Sequence, residues 1–259
     1  MRELYAIPPR DTLSRPACWF VPGGSPPVDF CFPPPSQPCV PIAGRAEAFP
    51  VHRIYCVGRN YEEHAREMGA SGREEPFFFC KPADAVVCDG SGRLLVPYPD
   101  RTQDLQHEVE LVVAIGAAGC RVTVEQAARM VWGYSVGIDL TRRDLQAQAK
   151  KLGRPWDVAK GFERSAPIGA IRPAGEVGAL GQRRIWLQVN GQPRQEGRLS
   201  QMIWGVEETI AQLSGFFELA AGDLIFTGTP AGVGRLAPGD RIEAGIDGIG
   251  TIDLLVTPQ

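Results

Sequence analysis

From about residue 50 onward, apolar and polar positions fall into short runs, most with the two-residue repeat of strands. "RIYCVG", "EPFFFCKP", "RLLVP", "EVELVVAIG" and "YSVGID" read as strands, rich in β-branched and aromatic residues. Asn60, with Glu63 three residues on and Gly69 as terminator, marks a short helix over "NYEEHAREMG". Thr123 and Gln126 form a second capping box, opening a helix over "VEQAARMVWG". "TRRDLQAQAKKLG" is a polar helix stopped by Gly153. "VEETIAQLSGFFEL" puts Val206, Ile210, Leu213 and Phe217 on one helical face. Asn190-Gly191 lies between two strand-like runs and predicts a tight hairpin. Strands dominate and no regular βαβ alternation is present. The fold class is therefore α+β, mostly β, and not a dinucleotide-binding fold.

The first 50 residues differ in kind, holding 12 of the 23 prolines. Such a segment neither donates a sheet ladder nor continues a helix, so an extended arm over residues 1–45 is expected, followed by one packed domain over 46–259. The chain has 259 residues and a net charge of -3, without a Lys/Arg run, so neither nucleic acid nor an acidic membrane surface is an expected partner. No apolar stretch reaches the length of a membrane span, and the N-terminus lacks the pattern of a signal peptide. Seven scattered cysteines without a C-x-x-C pair fit reduced thiols in a cytoplasmic protein, with Cys56 and Cys80 as small buried hydrophobes.

Candidate chemistry begins at "HEVELVVAIG", residues 107–116. Glu108 and Glu110 stand two apart on a strand and so share a face. Like charges at that spacing repel, and burial makes each costlier, so either that edge is solvated or a cation lies between them. On repulsion alone, deleting one carboxylate relieves the other. Asp139 ends an apolar strand and is the carboxylate best placed as a third ligand, unless it merely caps the following helix. Two glutamates and an aspartate make an all-oxygen site for Mg²⁺, Mn²⁺ or Ca²⁺ rather than zinc or copper. His64 and Glu67, three apart on the expected helix, form either a carboxylate-oriented base or an exposed surface pair. Lys160, alone among apolar residues, is either a solvated turn or an oxyanion holder. "TGTPAGVG", residues 227–234, lacks the ending of a phosphate loop and reads as a tight turn that brings Thr229 near a ligand.

Seven stretches, "CVGRNYEEHAREMG", "PFFFCKPADAVV", "HEVELVVAIG", "GYSVGIDLTRRDLQ", "PWDVAKGFERSAPIG", "VNGQPRQEG" and "LIFTGTPAGVG", resemble in order the motifs of the fumarylacetoacetate hydrolase family. The likeness covers residues from about 50 to 256 and points within the family to the acylpyruvate hydrolases. It implies a mixed β-roll or β-sandwich of the family's C-terminal-domain type, a homodimer, and one Mg²⁺ or Mn²⁺ per subunit. Glu108, Glu110 and Asp139 match the metal ligands, His64 and Glu67 the catalytic dyad, and Lys160 the lysine facing the substrate. Arg143, Gln146 and Thr229 fall at substrate-contacting positions, with Arg59 or Arg142 as candidates for a far carboxylate. The activity implied is hydrolysis of a carbon–carbon bond in a 2,4-dioxo acid, such as fumarylpyruvate in gentisate-type aromatic degradation. Oxaloacetate decarboxylation and isomerisation or hydration of unsaturated 2-oxo acids are the alternatives within the family. A divalent-cation-binding module is the non-enzymatic one.

Overall fold

Odd and even residues of the strand Val109–Ile115 serve two different cores. Val109, Leu111, Val113 and Ile115 join one apolar cluster, while Val112 and Ala114 join another. The same division runs through Ile54–Gly58 and Leu224–Phe226, where Tyr55, Val57 and Ile225 face the first cluster and Ile54, Cys56 and Phe226 the second. A strand covered on both faces must be apolar on both, which is why these runs read as nearly continuous rather than alternating.

The computed structural model describes residues 31–62, 73–88 and 92–259. The three strands above belong to a six-stranded mixed sheet in the order Arg172–Pro173, Val131–Ile138, Val109–Ile115, Leu224–Phe226, Ile54–Gly58, Phe77–Lys81. Only the Leu224–Phe226 and Ile54–Gly58 pair is parallel. A five-stranded sheet, from Gln192–Arg198 through Arg184–Val189, Arg241–Ile246 and Gly250–Thr257 to Leu94–Pro97, adds its apolar residues to the first cluster. Small sheets complete a mostly-β α+β fold, as expected.

The hairpin at Asn190-Gly191 is present, with φ of 52° and 74°, the two left-handed positions that a type I′ turn demands. The capping box at Thr123 and Gln126 is also present, although its helix ends at Ala128 and the following residues enter the strand Val131–Ile138. Helix Val206–Phe216 buries Val206, Ile210 and Leu213, but Phe217 has left the helix and is half-exposed. Cys56 is buried as expected, whereas Cys80, on the edge strand Phe77–Lys81, is exposed. The strand Cys39–Pro41 pairs with Ala48–Pro50 and buries Val40, so residues of the stretch read as an arm contribute to the second core. The compact unit runs from Gln37 to Gln259.

Asn60 ties together the loops around the sheet's C-terminal edge. Fully buried, it donates from Nδ2 to Trp204 O at 3.0 Å and to Thr227 O at 2.8 Å, and accepts from Trp204 N–H at 2.8 Å. Its oxygen is engaged across the fold; the helix it was expected to cap lies mostly outside the described residues. Truncation strands two carbonyls and one N–H. Asn60→Ala is therefore expected to lower stability by about 3 kcal/mol, measured by urea denaturation. A change below about 0.5 kcal/mol, the range of a neutral surface substitution, would show that the knot is dispensable.

Candidate active site

Glu108, Glu110, Val112 and Ala114 form one row of a single chain segment, so the carboxylates begin where the second core's apolar row ends. Glu108 bridges the strands Leu105–His107 and Val109–Ile115. Asp139 follows the neighbouring strand and its N–H donates to Glu108 O at 2.8 Å, which sets the two side by side. All three carboxylates are at least 95% buried, with ligand oxygens within 4.8 Å of one another.

Burial of three carboxylates requires compensation, and the surrounding cations supply most of it. Lys160 Nζ lies 2.8 Å from Glu108 Oε2 and 2.6 Å from Asp139 Oδ2. Lys81 Nζ lies 2.8 Å from Asp139 Oδ1. Arg143 donates to the other oxygen of Glu108. Burial works to lower the Lys160 pKa, but Asp139 and Glu108 outweigh it and hold the ammonium above its ordinary range. Asp139 thus stands between two ammonium groups, which reverses the expectation that deleting a carboxylate relieves repulsion. Removing it would leave two buried cations facing each other, a loss of about 3 to 5 kcal/mol for a broken buried pair.

Glu110 is the exception. Its Oε2 accepts the Gly228 N–H at 2.7 Å, and among the described residues no lysine or arginine bonds to it. Burial, then the Asp139 and Glu108 charges, push its carboxyl well above the usual range. A buried carboxylate short of positive charge, beside two others and made only of hard oxygens, fits a divalent cation of the Mg²⁺ or Mn²⁺ kind.

The loop 227–229 is set against this row by specific bonds. Gly228 has φ +93°, and a Cβ there would lie 2.7 Å from Asn60 Cβ, so only glycine brings this N–H to Glu110. Thr229 donates its hydroxyl to Val109 O and accepts from Gln195 Nε2, both at 2.8 Å. Gln195 Oε1 in turn accepts from Val109 N–H at 3.1 Å and from His107 Nδ1 at 2.9 Å. Thr229 therefore lines the cleft with its hydroxyl already engaged in the scaffold.

The cleft is narrow and opens to solvent. Helix Arg143–Leu152 turns Arg143, Gln146 and Lys150 toward it, residues spaced three and four apart on one face. Arg143 binds Gln146 Oε1 at 2.6 Å and Gln106 Oε1 at 2.8 Å, which fixes it beside Glu108. Across the lining stand Phe77, Phe79 and Trp156, with Arg59 over Phe77.

Of the residues singled out from sequence, Glu108, Glu110, Asp139, Lys160, Arg59, Arg143, Gln146 and Thr229 all line this cleft. Arg142 does not: its guanidinium packs over the Phe162 ring and donates to Val158 O at 3.1 Å. His64 and Glu67 lie outside the described residues. Sequence reasoning passed over Lys81 and Lys150. Lys81 ends the run "FFFCK" and is the buried end of an otherwise half-exposed edge strand, with no local signal in the sequence.

The chain is similar to several proteins of known structure or activity. A fumarylpyruvate hydrolase from Pseudomonas aeruginosa, solved with Mn²⁺ and pyruvate, is 50% identical and superposes with a TM-score of 0.87 over 89% of this chain and 100% of that one. A mitochondrial oxaloacetate tautomerase from Rattus norvegicus is 44% identical over 196 residues, 76% of this chain and 87% of the relative. A mitochondrial oxaloacetate decarboxylase from Dictyostelium discoideum is 40% identical over 199 residues, 77% of this chain and 90% of the relative. The family model for the fumarylacetoacetate (FAA) hydrolase C-terminal domain matches residues 53–257, and the chain belongs to that family.

Proposed function

We propose that this protein is a divalent-metal-dependent hydrolase that cleaves a carbon–carbon bond in a 2,4-dioxo acid, with fumarylpyruvate giving fumarate and pyruvate as the preferred case. The observation that carries the reading is the buried Glu108, Glu110 and Asp139 group with Lys160 at its centre, facing an open cleft. The likeness to a fumarylpyruvate hydrolase holding Mn²⁺ and pyruvate supports the choice of reaction.

Charge arithmetic supports the choice of substrate. Glu108, Glu110 and Asp139 carry three negative charges, and Lys81, Lys160 and Arg143 three positive ones. A dication added to that balance leaves a surplus of two positive charges, which a dianionic 2-oxo acid neutralises. Glu108, Glu110 and Asp139 would hold the cation. Once bound, it supplies Lewis-acid polarisation of the 2-oxo acid end and compensation for the enolate charge.

The chain's own groups provide the rest. His64, oriented by Glu67, takes a proton from water, and the hydroxide adds to the C4 carbonyl. Lys160 has three N–H donors, of which Glu108 and Asp139 engage two, and the third stabilises the C4 oxyanion. The Gln146 amide, its oxygen held by Arg143, adds a second donor. Collapse breaks C3–C4; the fragment with C4 leaves as the acid, and the electron pair leaves with the pyruvate enolate, which is then protonated.

Two outcomes test this reading. Purified protein with Mg²⁺ or Mn²⁺ is expected to turn over fumarylpyruvate faster than oxaloacetate, and a chelator to abolish both reactions. Turnover of oxaloacetate alone, followed by ultraviolet absorbance, would favour the decarboxylase or tautomerase chemistry of the relatives. His64→Ala is expected to lower kcat for hydrolysis ~10² to 10⁴-fold, the span for loss of a general base. Near-normal kcat in that variant would return the pair to a surface contact.

A further inference from the structure

The helix Arg143–Leu152 places a second cation farther along the same cleft. Arg143, two turns earlier, touches Glu108, and seven residues of helical rise put Lys150 about 10 Å beyond it along the axis. Lys150 lines the cleft with its ammonium 5.1 Å from the centre of the Trp156 ring. Trp156 meets Phe77 edge-on at 5.5 Å, and Arg59 lies over the other side of this pair, 5.7 Å from the Phe77 centroid.

Neither cation is explained by the fold. Among the described residues, neither Arg59 nor Lys150 forms an ion pair with an acidic side chain, and Arg59 Nε is buried without a hydrogen-bond partner. Arg59 also sits at φ +57°, a left-handed backbone that costs a non-glycine residue about 1 to 2 kcal/mol. Partial burial, with Arg143 and Arg59 nearby, lowers the Lys150 pKa to about 8, as in a site short of negative charge. Such a wall attracts an anion, and the Phe77 and Trp156 rings of the lining suit a flat, conjugated linker leading to it.

We infer that Lys150 and Arg59 form a subsite for the second carboxylate of a long dicarboxylate substrate, so that the cleft selects a diacid whose far end lies several carbons beyond its 2-oxo acid end. This rests on the hydrolase reading above and narrows its substrate class. A 2,4-dioxo acid with a conjugated acid tail reaches from the carboxylate triad to Lys150. Oxaloacetate is too short to do so, and acetylpyruvate carries no far charge.

The test compares kcat/KM for fumarylpyruvate and for acetylpyruvate, in the presence of Mn²⁺, in wild type, Lys150→Met and Lys150→Arg. Methionine keeps a flexible apolar stem beside Trp156 and removes the charge, and the position is solvent-exposed, so folding is expected to be retained. The ratio of diacid to monoacid kcat/KM is expected to fall at least ~10-fold in Lys150→Met, through KM, and to recover in Lys150→Arg. A ratio unchanged in Lys150→Met, with wild type active on both acids, would overturn the subsite while leaving the hydrolase reading intact. Wild type inert toward both acids would overturn the hydrolase reading and the subsite with it.

Discussion

Three carboxylates lie buried within reach of one another, and most of the surrounding construction answers that fact. An isolated buried carboxylate is strongly disfavoured, and three together add mutual repulsion. Asp139 is held by an ammonium at each oxygen, Glu108 by Lys160 and Arg143, and Glu110, among the described residues, by a backbone N–H. The charges of the cluster sum to zero, but the three cations gather on Glu108 and Asp139, and the locally uncompensated Glu110 is what a divalent cation satisfies. The cations are themselves anchored: Lys81 also donates to Leu140 O at 3.2 Å and to Lys160 O, which links the edge strand to the segments that carry Asp139 and Lys160.

The two-faced sheet explains why the cluster sits where it does. One face of Val109–Ile115 belongs wholly to the larger core, whereas its other row is apolar only from Val112 onward. Glu108 and Glu110 occupy the start of that row, where the strand reaches the cleft. Asn60 and Gln195 then fix the loop that carries Gly228 and Thr229 against the same edge. Side chains that appear to be substrate contacts by position alone, Thr229 among them, are partly devoted to holding this loop.

Much of this was legible in the sequence because it depended on short-range spacing. The i, i+2 glutamates, the aspartate at a strand end, the Asn-Gly hairpin and the Thr123 capping box all follow from local geometry. What stayed hidden depended on long-range pairing. Lys81 becomes buried only because its strand lies on the sheet edge across from Lys160, 79 residues away. The engagement of Asn60 with Trp204, 144 residues on, leaves no local trace in the sequence. Arg142 and Arg143 both read as substrate contacts in sequence, and the start of the helix at Arg143 sends Arg143 toward the cleft and Arg142 onto Phe162.

A divalent cation held by Glu108, Glu110 and Asp139 is the centre of the proposed chemistry. Anomalous diffraction at the manganese edge, from crystals soaked in Mn²⁺, tests it most directly. A single strong anomalous peak within coordination distance of oxygens from all three carboxylates is the predicted result. A peak elsewhere, or none among these residues in crystals whose solution counterpart binds Mn²⁺, would contradict it.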